Sequence, residues 1–417
     1  MRNSACNFRL QESGFRFPAE FELQEAVWIS WPNRYEIAQR DDYLSQEQVS
    51  IELLEALAPH VRIKLVIETQ DVLVKITKKL KNSNVNIDNI FFNILPYIDI
   101  WIRDWGPIYV INNQGEKRIV NFKFTSWGLP EYEPNYISKC DAFASIVAFK
   151  EGLPLIESKI VGEGGNWSSN GEGTIMTIES TELRRNPGWT KNQLEAEYKR
   201  ILGAKKVIWL KHGVIEDNAP NEASLPGPYQ KNNAYAIGAE HIDEVAHFAD
   251  PNTVLLTWVT EEEAQKNPIA KMNQQRLKEN YDRLIAATDH DGNSFKIVKV
   301  PIAETQYYPL KPMDDIYKWI SMMDFLDGSS FPASNEPVFE LVPTSYMNIV
   351  VSNYVVLVPK YWKKGMPDLV KKKDEQVGSI MKSSFPDRTI IRINPLAYNI
   401  CGGGMHCAFQ QEPAFQS

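Results

Sequence analysis

The stretch Asn399–Cys407, NICGGGMHC, sets three consecutive glycines directly ahead of Met405, His406 and Cys407 in a chain with only four cysteines and six histidines. Three glycines cannot build a stable helix or strand, so their use is conformational: a tight backbone turn that brings Cys407 into a confined space. A cysteine delivered that way is a nucleophile candidate. In an extended strand His406 would point away from Cys407, so the partner base is expected from elsewhere. A disulfide or metal pair between Cys401 and Cys407 is the alternative, weakened by the lack of a second cysteine pair.

Three further elbows hold polar residues that could serve such a thiol. In EHIDEVAHF, His241 and Asp243 are two residues apart and would share one face of a strand, so one imidazole and one carboxylate can address a common ligand. This makes His241 the best candidate for the base; an edge strand with polar residues facing water is the plainer reading. His-x-Asp can chelate, but no further His or Cys stands at zinc-like spacing nearby, so no metal is expected. His247, on the same face if the strand continues, reads as structural. In WIRDWGP, Arg103 and Asp104 stand at the end of an apolar strand before the turn at Gly106-Pro107, a pairing that also occurs as ordinary structure. In VGEGGNWSSNGEG, Glu163 follows an apolar strand, and the flanking glycines either let backbone approach a ligand or serve a hairpin turn.

One thiol, one imidazole and several carboxylates select the substrate. A serine- or papain-like hydrolase needs one acid to orient its histidine, and additional carboxylates would repel an anionic tetrahedral intermediate. They suit a cation instead: carboxylates bind a planar guanidinium in bidentate fashion. Its carbon becomes open to a thiolate when the charge is localised and an amine can leave. No cofactor is expected, because carboxylates and thiolate supply the polarisation.

The elements that must position these residues alternate strand-like and helix-like stretches, the pattern of an α/β protein. Runs such as EAVWISWP, RIKLVIE, IDIWIRDWGPIYVI, GTIMTIE, NTVLLTWV and RTIIRINP read as strands. SQEQVSIELLEALAPH, TKNQLEAEYKRILG, TEEEAQKNPIAKMNQQRLKENYDRLIAAT and DLVKKKDEQVGSIMKSSF carry helical spacing, with Thr190 and Thr260 as N-caps. Three segments, 163–203, 241–288 and 346–385, share one plan: a polar or glycine-rich elbow, a returning strand, then a helix. This is a loose internal repeat. No linker marks a boundary, and length and composition leave one domain or several open; an insertion or long loop is expected at about 307–343. The formal net charge of -8 and the absence of a long Lys/Arg tract disfavour nucleic acid and anionic membrane as partners. With no secretory segment and no apolar run of membrane length, a cytoplasmic protein with a cationic small-molecule partner is expected.

The residues together resemble the family of agmatine deiminases and bacterial-type peptidylarginine deiminases, guanidine-modifying enzymes of the pentein fold. The resemblance rests on GFRFPAEFELQEAVWISWP, WIRDWGP, EGGNWSSNGEGT, NPGWTKNQLEAEYKRILGAKKVIWL, HIDEVAHF, SYMNIVVSN and GGGMHCAFQQEPA, in family order over most of the chain. It implies that residues 1–417 form one domain, a five-bladed, pseudo-symmetric α/β propeller with the site at its centre. It also implies Cys407 as nucleophile, His241 as general acid and base, Asp104 and Asp243 as guanidinium ligands, and Glu163 as the carboxylate that holds the site or the histidine. The implied reaction is deimination of a small guanidine, agmatine to N-carbamoylputrescine and ammonia, through an S-alkylthiouronium intermediate on Cys407. Trp101 and Gly404 are carried as substrate-contact candidates, with core packing the alternative for Trp101. A homo-oligomer is compatible with the sequence.

Three departures bear on the substrate tail. Ala239-Glu240 stands where agmatine deiminases usually have Asp-Gly, Trp105 where many members have a small polar residue, and the segment from Tyr307 to Pro343 is longer and more aromatic than usual. Arginine, peptidyl-arginine or another alkylguanidine is therefore an alternative substrate. A non-catalytic guanidine-binding protein is a third reading, opposed by the presence of all five expected polar residues. Neither Cys6 nor Cys140 is expected to be needed.

Overall fold

Val355–Pro359, VVLVP, is buried at every position, as is Thr174–Ile178. Strands apolar on both faces belong in the interior of sheets covered on both sides. The computed structural model describes residues 14–32, 45–97, 99–130, 135–229, 231–332 and 336–415, and in it these strands are the middle members of such sheets. Cys6 lies outside the described residues. The fold is a mixed α/β single domain.

Five of the six sheets repeat one plan. A short strand pairs antiparallel with the next, a helical crossover follows, and a third strand pairs parallel with the middle one. Ile108–Ile111, Lys117–Lys123 and Leu155–Val161 form one such unit, with helix Tyr136–Glu151 as its crossover. Ser168–Ser169, Thr174–Ile178 and Lys206–Leu210 form the next. Ala246–Asp250, Thr253–Trp258 and Lys296–Pro301 follow, then Val350–Ser352, Val355–Pro359 and Thr389–Ile393. The last unit joins the two ends of the chain: Phe409–Pro413 runs antiparallel to Gln24–Ser30, which pairs parallel with Arg62–Ile67.

Capping residues start the crossover helices where the sequence places them. Thr190 and Thr260 each form a reciprocal capping box, with Gln193 and Glu263. The long helical pattern after Thr260 is not one helix. It breaks into Glu261–Lys266 and Pro268–Ala286, because Pro268 has no N–H to continue the first and sits at N1 of the second, capped by Asn267.

Three further expectations change. IDIWIRDWGPIYVI is not one strand: Ile102–Trp105 makes a short helical turn, and the strand begins at Ile108. His241 and Asp243 do not lie in a strand; His241 precedes the 3-10 turn Ile242–Glu244, and the strand starts at Ala246. The segment 307–343 is not a loop throughout. Gln306–Leu310 and Val338–Val342 are strands of the sixth sheet, beside Asn232–Ala236, with helix Asp315–Ser321 between them.

Candidate active site

In each of the five repeated sheets, the turn ahead of the first strand delivers a polar side chain to one cavity or its wall. Asp104 precedes Ile108–Ile111, Glu163 precedes Ser168–Ser169, Asp243 precedes Ala246–Asp250, Asn348 precedes Val350–Ser352, and Cys407 precedes Phe409–Pro413. Asp104, His241, Asp243 and Cys407 line the cavity, whose volume is about 90 Å³.

Cys407 is buried. Its Sγ lies 3.2 Å from Asn348 Nδ2, 3.4 Å from the Gly404 amide and 3.5 Å from Asp243 Oδ2. The glycines allow this. A Cβ on Gly404 would meet Asn348 Oδ1 at 2.2 Å, and one on Gly403 would meet the Trp101 ring at 2.8 Å and Cys407 Sγ at 3.2 Å. Gly404 thus faces the thiol, while Trp101 lines the cavity and packs edge-on against Tyr398. Trp105 is core: its Nε1 donates to Asp99 and its ring packs on Phe143.

His241 stands between two carboxylates. Its Nε2 is 2.7 Å from Glu163 Oε2, and its Nδ1 is 3.6 Å from Asp104 Oδ1. Glu163 is anchored on its other oxygen by Arg185 Nε at 2.7 Å, so it holds the histidine from behind. Asp104 is oriented by the amide of Gly165 and the indole N–H of Trp127, both at 2.9 Å. Gly165 must stay bare, since a Cβ there would lie 2.6 Å from His241 Nδ1.

Burial and charge set the protonation states. Burial would lower the pKa of His241, but Asp104 and Glu163 outweigh it and push the imidazole up to about 10. Burial opposes ionisation of Glu163, yet Arg185 and His241 bring it down to about 2. Asp104 rises to about 6 through burial, reinforced by Glu163 and Asp243 and opposed by His241. Asp243 is held low against burial by the hydrogen bond and charge of His406. The Cys407 thiol is raised well above its ordinary value by burial, then by Asp243, Glu244 and Asp104. Burial and the surrounding carboxyls thus favour the protonated thiol.

His406 does not point away from the site. Residues 405–408 form a turn rather than a strand, and the buried ring bridges Asp243 Oδ2 and Glu20 Oε1 at 2.8 Å each. His247 stacks edge-on against it, with ring centroids 4.9 Å apart. Glu20, His247 and His406 could approach a metal ion together; the Arg103 guanidinium 3.3 Å from Glu20 opposes a second cation there. Glu240 faces away from the cavity. Its carboxylate meets Arg184 at 3.1 Å and the Gly213 amide at 3.2 Å, and its φ of 61° is left-handed.

Asn348, Glu244, Asp217 and Arg185 line the site or hydrogen-bond to its residues, and the sequence reading did not select them. Asn348 was recoverable, because it stands ahead of a hairpin within the repeated unit 346–385, where the other units carry Asp243 or Glu163. Asp217 arrives from a turn outside the repeat, where its carboxylate accepts from the His241 and Ala239 amides at 2.7 and 3.1 Å.

A sequence model of the Porphyromonas-type peptidyl-arginine deiminase family matches residues 16–223 and 230–413. The chain belongs to this family. Within it, the chain is 29% identical to a protein of Selenomonas ruminantium over 97% of each chain, and 27% identical to one of Vibrio parahaemolyticus over 97% of this chain and 98% of the other. Both carry the name "Putative agmatine deiminase". A solved agmatine deiminase of Enterococcus faecalis superposes with a TM-score of 0.74 at 26% identity, over 97% of this chain and 98% of that one. A family resemblance that rested on short motifs therefore extends along nearly the whole chain. Among the described residues, no helix is long and apolar enough to cross a membrane.

Proposed function

We propose that the protein deiminates agmatine to N-carbamoylputrescine and ammonia through a covalent intermediate on Cys407. The observation that carries this reading is the cavity's acidic lining, in which His241 is the cationic member. Asp99, Asp104, Asp217, Asp243 and Glu244 line the cavity, and among the described lining residues there is no Lys or Arg. A guanidinium with a cationic tail suits such a wall, whereas the α-carboxylate of arginine or of a peptide ending in arginine would stand unpaired among acids. The agmatine deiminase relatives favour the same substrate.

Asp104 and Asp243 hold the guanidinium with its carbon against Sγ. The cation's charge favours the thiolate, whose proton leaves to solvent. The thiolate adds to the carbon, His241 protonates one nitrogen, and ammonia departs as the S-alkylthiouronium forms. The now neutral imidazole, still held by Glu163, takes a proton from water; the hydroxide adds to the same carbon, and the C–S bond breaks to release the ureido product and regenerate the thiol. The five repeated sheets are read as five propeller blades around this centre, each contributing one turn to it. A cytoplasmic enzyme without cofactor is the setting this reading implies.

Ammonia release from agmatine, arginine and a peptide ending in arginine tests the assignment. Turnover of agmatine well above the other two is expected. A clear preference for either carboxylate-bearing substrate would overturn it, and no release from any guanidine would leave a binding protein.

A further inference from the structure

Glu244 has no role in the reaction just described, yet it lines the same cavity. It is 1% exposed. Its Oε1 accepts from Asn348 Nδ2 at 2.8 Å, and its Oε2 is buried with no hydrogen-bond partner. Oxygens of Asp243 and Glu244 and the Cys407 sulfur lie within 4.8 Å of one another. A buried polar atom without a partner is costly unless a ligand completes it.

The two carboxylates assigned to the guanidinium are already partly engaged. Each Asp104 oxygen accepts one hydrogen bond, from Gly165 and Trp127, which leaves one acceptor site on each. Asp243 Oδ2 accepts from His406, while Oδ1 has no partner. A monosubstituted guanidinium carries five N–H donors in one plane. In the Asp243–Glu244–Cys407 cluster, the carboxylate oxygens without a hydrogen-bond partner are Asp243 Oδ1 and Glu244 Oε2.

We propose that Glu244 is a third carboxylate contact to the guanidinium, giving up its proton to solvent as the cation binds. This rests on the reading of the cavity as a guanidine site. Asp243, Asp217, Cys407 and Tyr361 face Glu244, and all are anions when ionised; Asn348 offers its carboxyl only a neutral hydrogen bond, and the Ser345 hydroxyl donates to its backbone carbonyl. Burial together with Asp243 and Asp217 raises its pKa well above the ordinary value, which favours the neutral carboxyl. A cation placed between Asp243 and Glu244 reverses that balance. The device rewards a charged guanidinium over an uncharged urea product, because the product does not draw off the proton and leaves Glu244 without an ionic partner.

The test is calorimetric titration of agmatine into Cys407→Ala, which removes the thiol's own proton, in two buffers of different protonation enthalpy at pH 8. There Asp104, at about 6, and Asp217, at about 7, are already ionised. Release of about one proton on binding is expected, falling to near zero in Cys407→Ala/Glu244→Gln with affinity about tenfold weaker. Glu244→Asp retains a titrating carboxyl, so it is expected to keep the proton release while binding more weakly, and it stands in if the Gln variant does not fold. Equal proton release with and without the Glu244 carboxyl, or none in either, overturns the proposal while leaving agmatine turnover by the wild type intact. Absence of both binding and turnover would instead count against the guanidine site itself.

Discussion

His241 Nε2 lies 2.7 Å from Glu163 Oε2, while the other Glu163 oxygen accepts from Arg185 Nε at the same distance. The imidazolium therefore belongs to a buried chain of alternating charge, and its high pKa depends on that chain. Glu163→Gln removes one of the carboxylates that hold His241 at about 10. Its pKa then falls toward the ordinary value, so the alkaline limb of the kcat profile, which reports loss of the His241 proton, moves to lower pH. kcat is expected to fall by on the order of 10². A profile whose alkaline limb stays in place would deny Glu163 this role.

Asp243 acts on the thiol and on the substrate in opposite directions. Its charge raises the Cys407 pKa, so Asp243→Asn is expected to speed alkylation by iodoacetamide at neutral pH, about tenfold for each unit by which the thiol pKa drops. The same variant loses a guanidinium ligand and with it agmatine turnover. If alkylation slows along with turnover, the carboxylate is not what keeps the thiol protonated.

Glu240 looked like a specificity residue because it stands next to His241 and replaces a usual glycine. The structure turns it toward Arg184 and Gly213, away from the substrate. Glu240→Gly relieves a left-handed φ worth about 1 kcal/mol. It also removes a buried acceptor worth about 2 kcal/mol. The net expectation is a Tm lowered by a few degrees with KM for agmatine unchanged. A KM change at unaltered Tm would place Glu240 in the substrate path after all.

Glu340, on the middle of the sixth sheet, is fully buried, and neither of its oxygens has a hydrogen-bond partner. Burial raises its pKa well above the ordinary value. The folded chain thus binds a proton that the unfolded chain has lost by neutral pH, so this residue subtracts stability progressively as pH rises above its unfolded pKa. Glu340→Gln cannot ionise. Its Tm is expected to match the wild type near pH 5 and exceed it increasingly toward pH 9, as followed by thermal unfolding. A constant offset between the two would refute the linkage.

Much of the site was legible because its chemistry is local: a nucleophile after a glycine turn, a His-x-Asp, and acids at strand ends. Cys407, His241, Asp243, Asp104 and Glu163 do converge. What the sequence concealed was geometry set by tertiary contacts. His406 seemed to face away because alternation in a strand was assumed, and a turn at 405–408 reverses that. Glu244 follows Asp243 on a 3-10 turn, where neighbouring side chains can share a cavity, which the strand reading forbade. The sixth sheet was hidden in an irregular stretch, since Gln306–Leu310 contains Pro309 and lacks the alternating pattern of a half-buried strand.

The central claim is that Cys407 carries the substrate carbon, and mass spectrometry of enzyme quenched in acid during agmatine turnover tests it most directly. The account predicts a fraction of the protein heavier by agmatine less ammonia, the addition mapping to the peptide that contains Cys407, and neither adduct nor ammonia release in Cys407→Ala. Ammonia release that persists in Cys407→Ala would contradict it.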